Sequence, residues 1–454
     1  MKKVFLLLIV LATSGVFAHP PHFQTTPYQV ASSSRINVRA EPNTDATVVT
    51  QLDPGTQVDV TGHTEGETLS GNAVWLIVSI PAGSGYVHSS LLRPADSGGV
   101  PAGIEVALAA SPPRGVPANP NADRTARAVL RYLNTLPERG DNRVVSGQFG
   151  AFGDGTSRES AEQQVQEVFD ESGHYPALTG MDYKRWDMMN GNDFSEPNGF
   201  LIDYWNAGGL VNLSWHANNP WTGGSSNDWE NPNTSDPWDT RPVTELLMLG
   251  NPAAIQWRAM LDNIASGLQE LEDAGVVVIW RPLHEMNGGW AWWHRQDPEA
   301  FKALWRDMFD YFTYEKGLNN LLWAYTPMMN GSDFDPSPAV FYPGGGYVDF
   351  VGLDKYMNIG EDPLNLNRRG EYDAIRALDK PIGLFEFGPI PASGEGWDGP
   401  RYNYANLIRD IRDLYPEVVL FQAWEYVWQI GWHDNAAGLM TDPWVITRDE
   451  LPGF

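Results

Sequence analysis

The 454-residue sequence contains no cysteine, and this absence is the first constraint on its chemistry. Disulfide bonds, thiolate metal sites and cysteine nucleophiles are therefore excluded. Basic residues are also scarce: 30 lysines and arginines stand against 57 acidic residues, which gives a formal net charge of −27. Such a charge repels nucleic acids and anionic membranes, and it favours a neutral or cationic partner. The sequence thus predicts no nucleic-acid partner.

Long apolar runs are missing beyond the start of the chain. The first 18 residues contain two lysines, an apolar run and then Val16-Phe17-Ala18. This order is typical of a secretory signal peptide, and the run is too short to be a membrane-spanning anchor. We expect residues 1–18 to be removed by cleavage after Ala18, so that the mature chain begins at His19. The predicted protein is secreted, extracellular or periplasmic, and has no membrane span.

Aromatic residues, by contrast, are abundant. The chain has 19 Trp and 17 Tyr, whereas its hydrophobic content of 42% and charged content of 19% are ordinary for a folded protein with a core. Aromatic surfaces in clefts hold flat, partly apolar ligands such as sugar rings. The composition therefore favours a carbohydrate ligand.

Residues 30–93 alternate apolar and polar positions between turn signals, as expected for short strands. This segment resembles a bacterial SH3-like domain on the basis of Asn37-Val38-Arg39, Pro54-Gly55, Trp75 and Gly85-Tyr86-Val87-His88. Two interpretations of its function stay open: it binds a cell wall or another glycan, or it is a passive spacer. The Pro/Gly/Ala-rich segment 94–122 is typical of a linker.

A larger domain is predicted from residue 123 to residue 454. Its first segment, DRTARAVLRYLNTLPERG, has helical spacing of apolar residues, with Asp123 as the expected N-cap. Strand-like segments then alternate with amphipathic helical stretches at 143–149, 175–183, 209–216, 276–285, 320–327, 347–356, 381–388 and 418–425. These eight repeats predict an α/β fold in which a (β/α)8 TIM barrel follows a small all-β SH3-like barrel.

Polar and aromatic residues gather where the predicted strands end. These residues are Trp215-His216, His284-Glu285, Asp354, Tyr356, Glu386 and Trp424-Glu425. In a (β/α)8 barrel the active site lies at the C-terminal ends of the strands. The apolar run from Val276 to Trp280 is accordingly interpreted as a buried strand, and the charged residues after it are expected to reach a cleft.

Glu285 and Glu386 are the candidate catalytic pair. Hydrolysis of a glycosidic bond needs one carboxyl group that protonates the leaving oxygen and another that attacks or activates water. A separation of about 5–5.5 Å gives retention of configuration, and a larger one gives inversion. The acid needs a raised pKa, whereas the nucleophile must stay ionised. Arg281, in the strand that leads to Glu285, is expected to reach Glu386 and keep it charged.

Metal chemistry is less well supported. His284-Glu285 begins like the H-E-x-x-H zinc motif, but position 288 is Gly, so the second histidine ligand is missing. Loop 217–241 has no regular spacing of acidic ligands, which favours a solvated, substrate-flanking loop over a calcium site. Gly288-Gly289 is expected to turn the chain sharply and present three tryptophans, Trp290, Trp292 and Trp293.

The segments WRPLHEMNGGWAWW, LSWHANNP, YVDFVGLDKY, GLFEFGP and FQAWEYVW together resemble glycoside hydrolase family 26, whose best-known members are endo-β-1,4-mannanases. The resemblance covers roughly residues 123–454. It implies Glu285 as general acid/base, Glu386 as nucleophile and Tyr356 as hydrogen-bond partner of the nucleophile. It also implies a retaining mechanism without metal or organic cofactor, and a sugar site lined by His216, His284, Trp290, Asp354 and Trp424.

The residues and the resemblance agree on a secreted endo-acting hydrolase of a neutral plant polysaccharide. Mannan, glucomannan or galactomannan is the first-choice substrate. The family also contains lichenases and xylanases, so these activities stay open, as does a barrel that binds carbohydrate without cleaving it. We expect a monomer.

Overall fold

The computed structural model describes residues 26–30, 35–69, 72–81, 83–88, 91–94, 112–153, 157–184, 187, 193–228, 240–248, 250–329, 337–391 and 399–454. The chain divides into two compact units, Met1–Val100 and Pro101–Phe454. The predicted signal peptide, residues 95–111 of the predicted linker and residues 229–239 of loop 217–241 lie outside the described residues. No helix in the described part of the chain combines the length and the apolar character needed to cross a membrane.

The first unit is all-β, as predicted for a bacterial SH3-like domain. Its described strands are β1 (Thr26–Val30), β2 (Ile36–Arg39), β3 (Val48–Leu52), β4 (Gln57–Leu69), β5 (Asn72–Ile80), β6 (Gly83–His88) and β7 (Leu92–Pro94). They form one sheet in the order β3-β2-β6-β5-β4-β1-β7, and the observed pairings are antiparallel.

The motifs that predicted this unit have structural reasons. Trp75 is buried and stacks edge-on against His88, with 5.4 Å between the ring centroids. Gly85 lets β6 pass close to β2, because a Cβ atom there would lie 2.4 Å from Cγ1 of Val38. Gly55 has a φ of 75° in the turn before β4, a conformation that glycine adopts without strain.

The second unit contains alternating helices and parallel strands. Its described helices are α1 (Arg124–Thr135), α2 (Arg158–Ser172), α3 (Ser195–Asn206), α4 (Pro252–Asp273), α5 (Pro298–Asp310), α6 (Glu371–Arg376), α7 (Ala405–Leu414) and α8 (Ala436–Met440). Its strands are β8 (Val144–Val145), β9 (Gly147–Ala151), β10 (Leu178–Asp182), β11 (Leu210–Trp215), β12 (Val278–Pro282), β13 (Leu321–Tyr325), β14 (Phe350–Asn358), β15 (Ile382–Ile390), β16 (Val418–Ala423) and β17 (Val445–Ile446).

Strands β9 to β16 close into a barrel. Consecutive strands from β9 to β16 pair in parallel, and β16 pairs back with β9, so these eight described strands form a ring. The (β/α)8 barrel predicted from the sequence is therefore confirmed. Strand β12 shows why its apolar run has no polar face. Val278 and Trp280 pack outward in the cluster that contains helices α2 to α8, whereas Ile279, like Val277 just before the strand, packs in the barrel interior.

Helix α1 closes the N-terminal end of the barrel. Its buried residues Val129, Leu130 and Leu133 share the interior cluster with Phe350 and Phe385 from the strands. The predicted N-cap is confirmed, since the Asp123 side chain accepts a hydrogen bond from the backbone N–H of Ala126. The interior is thus filled at this end, and only the C-terminal ends of the strands remain for an active site.

Residues 118–122, within the segment predicted as a linker, pack against the barrel. The backbone N–H of Ala118 donates to Oδ1 of Asp349 at 2.6 Å. The side-chain amide of Asn119 donates to the carbonyl of Leu318 at 3.0 Å. Both Ala118 and Asn119 are buried. This stretch is therefore part of the second unit and does not act as a free linker.

Gly352, in β14, generates a prediction about barrel stability. A Cβ atom there would lie 2.4 Å from the backbone oxygen of Gly383 and 2.5 Å from the Phe385 ring. We expect Gly352→Ala to lower the free energy of unfolding by about 1–3 kcal/mol, because a packed core resists an added methyl group. Urea unfolding followed by tryptophan fluorescence measures this loss. Gly140→Ala is the matched control, since nothing lies within 4 Å of its Cβ position; equal stabilities of the two variants would contradict the prediction.

Candidate active site

Glu285 lies in a strained turn after β12. The strand ends at Pro282, short of the predicted end at residue 285. Leu283 and Glu285 then adopt left-handed backbone conformations, with φ values of 46° and 54°. Such conformations are rare for residues other than glycine and cluster at functional sites, where the surrounding structure holds them. Here the backbone N–H of Glu285 donates to the carbonyl of Thr326 at 2.7 Å, which fixes the turn against the next strand end.

Glu386 reaches the same opening through a β-bulge in β15. Leu384 pairs with Leu353 of β14, but Asp354 pairs with Glu386, so Phe385 is an extra residue. A bulge of this kind changes the direction of the side chains beyond it. Phe385 packs in the barrel interior, and Glu386 lies in the cleft directly above. Regular alternation would have placed these two neighbours on opposite faces of the sheet.

The two glutamates meet in one groove. One carboxyl oxygen each of Glu285, Asp354 and Glu386 lies within 4.8 Å of the others. Glu285 and Glu386 are buried but retain 5% and 4% exposure. This bound on one pair of oxygens fits the carboxyl separation of about 5–5.5 Å in retaining glycosidases better than the 6.5–9.5 Å of inverting ones.

Arg281 lies beneath this pair and is completely buried. Its guanidinium donates to Oδ2 of Asp354 at 2.8 Å and to Oε1 of Glu386. The predicted contact between Arg281 and Glu386 is therefore present in the structure. A second donor, the Tyr356 hydroxyl, lies 2.8 Å from Oε2 of Glu386. Both carboxyl oxygens of Glu386 thus accept hydrogen bonds, and one of these donors is a cation.

Glu285 has a different environment. Its Oε2 accepts a hydrogen bond from Nε1 of Trp290. Burial, followed by the nearby charge of Glu386, raises the pKa of Glu285 to about 8, although the Trp290 hydrogen bond and Arg281 act in the opposite direction. Burial and then the charge of Glu386 also raise the pKa of Tyr356 well above its ordinary value, so its hydroxyl stays protonated and donates. At neutral pH the site holds Glu285 as an acid.

A chain of polar contacts runs from β10 to Glu386. His216 and His284 face each other with 3.1 Å between their Nε2 atoms. Nε2 of His284 lies 3.5 Å from Oε1 of Glu386. On the other side, Nδ1 of His216 lies 2.7 Å from Oδ2 of Asp182. Sequence reasoning missed Asp182. It lies at the end of the predicted strand 175–183, where the criterion that selected the other strand-end residues would have found it.

Aromatic rings form the remaining walls of the groove. Trp290 is partly exposed and lies 5.2 Å from the His216 ring, measured between centroids. Trp424 stacks on Phe149 with 4.2 Å between centroids and an interplanar angle of 19°. Phe152 packs against His216 at 4.4 Å. The structure therefore gathers the aromatic residues predicted for the sugar site, with Phe152 beside His216 and the buried Phe149 behind Trp424. Sequence reasoning named neither phenylalanine, although Phe149 is the last residue of the predicted strand 143–149.

The prediction that Trp292 and Trp293 are presented with Trp290 is wrong. Both rings are buried, and their Nε1 atoms donate to the carbonyls of Ala217 and His284 at 2.9 and 2.8 Å. Gly288 and Gly289 do not have left-handed φ values. Gly288 instead permits close packing, because a Cβ atom there would lie 2.6 Å from the sulfur of Met328.

Two side-chain groups in the described chain have the composition of a metal site: His216, His284 and Glu386, and Glu285, Asp354 and Glu386. Arg281 already places a positive charge between Asp354 and Glu386. A cation at the same position would face its repulsion at short range. The arrangement therefore favours chemistry by the carboxyl groups alone, and the absence of a metal stays a prediction.

A closed (β/α)8 barrel with a close pair of carboxyl groups at the C-terminal ends of its strands is typical of barrel glycoside hydrolases. Comparison with known families agrees with this class. Residues 118–450 match glycosyl hydrolase family 26, and residues 34–93 match the bacterial SH3 domain. The chain therefore belongs to glycosyl hydrolase family 26.

Relatives and solved structures support this membership. The chain is 36% identical to a mannan endo-1,4-beta-mannosidase of Bacillus subtilis, over 74% of this chain and 89% of the relative. It is 37% identical to mannan endo-1,4-beta-mannosidase A and B of Caldalkalibacillus mannanilyticus, over 73% of this chain but only 62% of that protein. A solved structure of a Bacillus subtilis mannanase superposes with a TM-score of 0.61 at 34% identity, covering 73% of this chain and 95% of the other.

The environment of Glu285 predicts the direction of two pKa changes. Glu386→Gln removes a nearby negative charge, so the pKa of Glu285 should fall from about 8. Trp290→Phe removes a donor to the carboxylate, so the pKa should rise. A carbon-13 NMR titration of the glutamate carboxyl groups measures both shifts. Glu315→Gln, at an exposed position, is the control and should leave the pKa of Glu285 unchanged. Shifts of this pKa in the same direction in Glu386→Gln and Trp290→Phe would contradict the assignment.

Proposed function

We propose that this protein is a secreted, endo-acting glycoside hydrolase that cleaves β-1,4-mannosidic bonds by a retaining double displacement. The observation that carries the proposal is the pair of carboxyl oxygens, from Glu285 and Glu386, within 4.8 Å of each other. The different neighbours of the two groups support different roles. Family membership and the mannanase relatives support the substrate.

The proposed reaction has two steps. In the first, Glu386 attacks the anomeric carbon while Glu285 donates its proton to the leaving glycosidic oxygen, which gives a covalent glycosyl-enzyme. In the second, Glu285 acts as a base toward water, which attacks the anomeric carbon and releases Glu386. The raised pKa of Glu285 suits the first step, because the acid is protonated at neutral pH.

The surrounding residues take supporting roles in this proposal. Tyr356 and Arg281 hold the carboxyl group of Glu386 by hydrogen bonds to its two oxygens, and Asp354 holds Arg281 in turn. The sugar at the reacting centre is expected to contact residues at the opening of the groove, namely His216, His284, Trp290 and Trp424.

Mannan, glucomannan or galactomannan is the proposed substrate class. Mannanase relatives from several organisms support it, and so does the structure of a β-mannanase from a termite symbiont in complex with a gluco-manno-oligosaccharide, which has a TM-score of 0.59 at 25% identity. An uncharged polysaccharide also suits a chain with a net charge of −27. Lichenase or xylanase activity and non-cleaving binding are the alternatives.

The proposal extends to the whole chain. A signal peptide at residues 1–18 exports the protein, and a linker at 94–122 leads to the catalytic domain at 123–454. The SH3-like domain at 30–93 binds a cell wall or another glycan, or serves as a passive spacer. The last residues of that linker pack on the barrel. The protein is proposed to act as a monomer, without metal or organic cofactor.

Product analysis tests substrate and stereochemistry together. The protein should release reducing ends from mannan faster than from mixed-linkage glucan or xylan, and proton NMR should show the β-anomer as the first product. An initial α-anomer would contradict double displacement. Binding to mannan without release of reducing ends, by correctly folded protein, would favour the non-cleaving alternative.

Substitution of the two glutamates separates their roles. Glu386→Ala should lose nearly all turnover on any substrate, while affinity for manno-oligosaccharides survives. Glu285→Ala should lose about 10²–10⁴-fold on mannan, the usual contribution of general acid–base catalysis. With an activated aryl glycoside, whose leaving group needs no proton, Glu285→Ala should retain a rapid first step seen as a burst of phenol. Glu315→Ala is the control; a burst from Glu386→Ala would show that the nucleophile is misassigned.

A further inference from the structure

Asp182 is a buried acid at the end of β10 that the proposed reaction does not yet use. Its side chain is completely buried. Oδ1 accepts the backbone N–H of Lys184 at 2.8 Å, and the backbone N–H of His216 lies 3.3 Å from both carboxyl oxygens. Oδ2 accepts the Ser214 hydroxyl at 2.5 Å and lies 2.7 Å from Nδ1 of His216. The carboxyl group is thus surrounded by hydrogen-bond donors, and the ring of His216 is one of its neighbours.

The contact with His216 determines the position of a proton. Burial alone would raise the pKa of Asp182, but the contacts with His216, Ser214 and Lys184 bring it below its ordinary value, so the group is ionised. An ionised carboxylate only accepts hydrogen bonds, so Nδ1 of His216 must be the donor. In the neutral imidazole this leaves Nε2 without a proton. Nε2 of His216 therefore accepts, and its partner at 3.1 Å, Nε2 of His284, must donate.

His284 provides an independent check on this assignment. Its Nδ1 is buried and has no hydrogen-bond partner within the described structure. A proton on that nitrogen would be an unsatisfied buried donor, and two unprotonated Nε2 atoms would then face each other. An unprotonated Nδ1 avoids both conflicts, because Nε2 of His284 then carries the proton and donates it to Nε2 of His216. The neutral His284 ring therefore carries its proton on Nε2, which also lies 3.5 Å from Oε1 of Glu386.

We propose that Asp182 is a positioning residue that acts on Glu386 through two histidines. Its carboxylate fixes the proton of His216 on Nδ1, and the contact between the rings fixes the proton of His284 on Nε2, beside the Glu386 carboxyl group. The second part rests on the proposed role of Glu386 as nucleophile. A reversed pair of tautomers would place the lone pair of His284 against the Glu386 carboxylate and destabilise its ionised form.

The substitution Asp182→Asn should reverse the pair. The backbone N–H groups of Lys184 and His216 can only donate, and both reach the Oδ1 position, at 2.8 and 3.3 Å, so the amide oxygen of an asparagine would take that position. The amide NH₂ would then face the Ser214 hydroxyl, which can accept as well as donate, and Nδ1 of His216. His216 would be forced to accept at Nδ1 and carry its proton on Nε2, and His284 would shift its proton to Nδ1.

Nitrogen-15 NMR of the histidine rings at pH 8 tests the proton positions directly. In the unsubstituted protein we expect the Nδ1–H form of His216 and the Nε2–H form of His284, assigned by loss of signals in His216→Gln and His284→Gln. Asp182→Asn should exchange both forms. A parent protein with Nε2 of His216 protonated would overturn the proposal, whether or not the variant folds and whether or not Glu386 is the nucleophile.

Kinetics test the link to Glu386. We expect Asp182→Asn to lower kcat by about 10–100-fold, by analogy with residues that orient metal-ligating histidines, with a smaller change in KM. The loss should persist on an activated aryl glycoside, because the defect lies in the nucleophile and not in the acid. Exchanged tautomers with unchanged kcat, or full recovery on the activated substrate, would overturn the link.

Asp187→Asn is the matched control. Asp187 is also a buried acid in the loop after β10, but its hydrogen bonds come from Nε1 of Trp215 and from the backbone and side chain of Asn218. This variant removes a buried carboxylate without touching His216. It should leave both histidine tautomers as in the parent. A kcat loss equal to that of Asp182→Asn would show that any buried charge in this region has the same effect, and the proposal would fail.

Discussion

The catalytic groove depends on one buried cation. Arg281 has no exposed surface, and its guanidinium lies between Asp354 and Glu386. Transfer of such a charged cluster out of water is costly, and mutual attraction offsets this only when the geometry is good. Removal of one member of such a group typically costs about 3–5 kcal/mol, since the remaining charge is left buried and unpaired. The arginine thus joins strands β12, β14 and β15 at the level where the groove begins.

The position of Arg281 explains why two glutamates in one groove differ in their charge environment. Glu386 has Arg281 and Tyr356 on its two oxygens, whereas Glu285 has the neutral indole N–H of Trp290. The charge of Glu386 acts on Glu285 at short range, so the two cannot both be ionised without a penalty. Burial of the pair increases that penalty. The proposed roles of acid and nucleophile can fall to two glutamates because only one of them, Glu386, has a cation as its direct partner.

Much of this architecture could be predicted from the sequence. Runs such as Val276 to Trp280 show that a strand is buried on both faces, and the polar residues that follow mark the ends of the strands. Helix α1 was also predictable, because its apolar spacing and its cap at Asp123 are local properties. The pairing of Glu285 with Glu386 followed from barrel topology, which places all strand ends on one side.

Other features could not be predicted, since they depend on contacts between distant segments. The extra residue Phe385 in β15 is visible only against the register of β14. Trp292 and Trp293 have the same composition signal as Trp290, and only tertiary packing decides that they are buried. The left-handed backbone at Leu283 and Glu285 could not be predicted, because neither position is a glycine or an asparagine, the residues that favour this conformation. Asp182 is a different case. The strand-end rule covers it, but its side chain lies behind His216 and is linked to Glu386 only through the two histidine rings.

Leu283 has a consequence for protein engineering. A common route to thermostable enzymes is to place glycine wherever the backbone is left-handed, which recovers about 1–2 kcal/mol of steric energy. Leu283, however, is completely buried in the main core. Loss of a leucine side chain from such a position typically costs about 2–5 kcal/mol. Replacement of Leu283 by glycine is therefore expected to lower the stability of the enzyme, although it would relieve the backbone strain at this position.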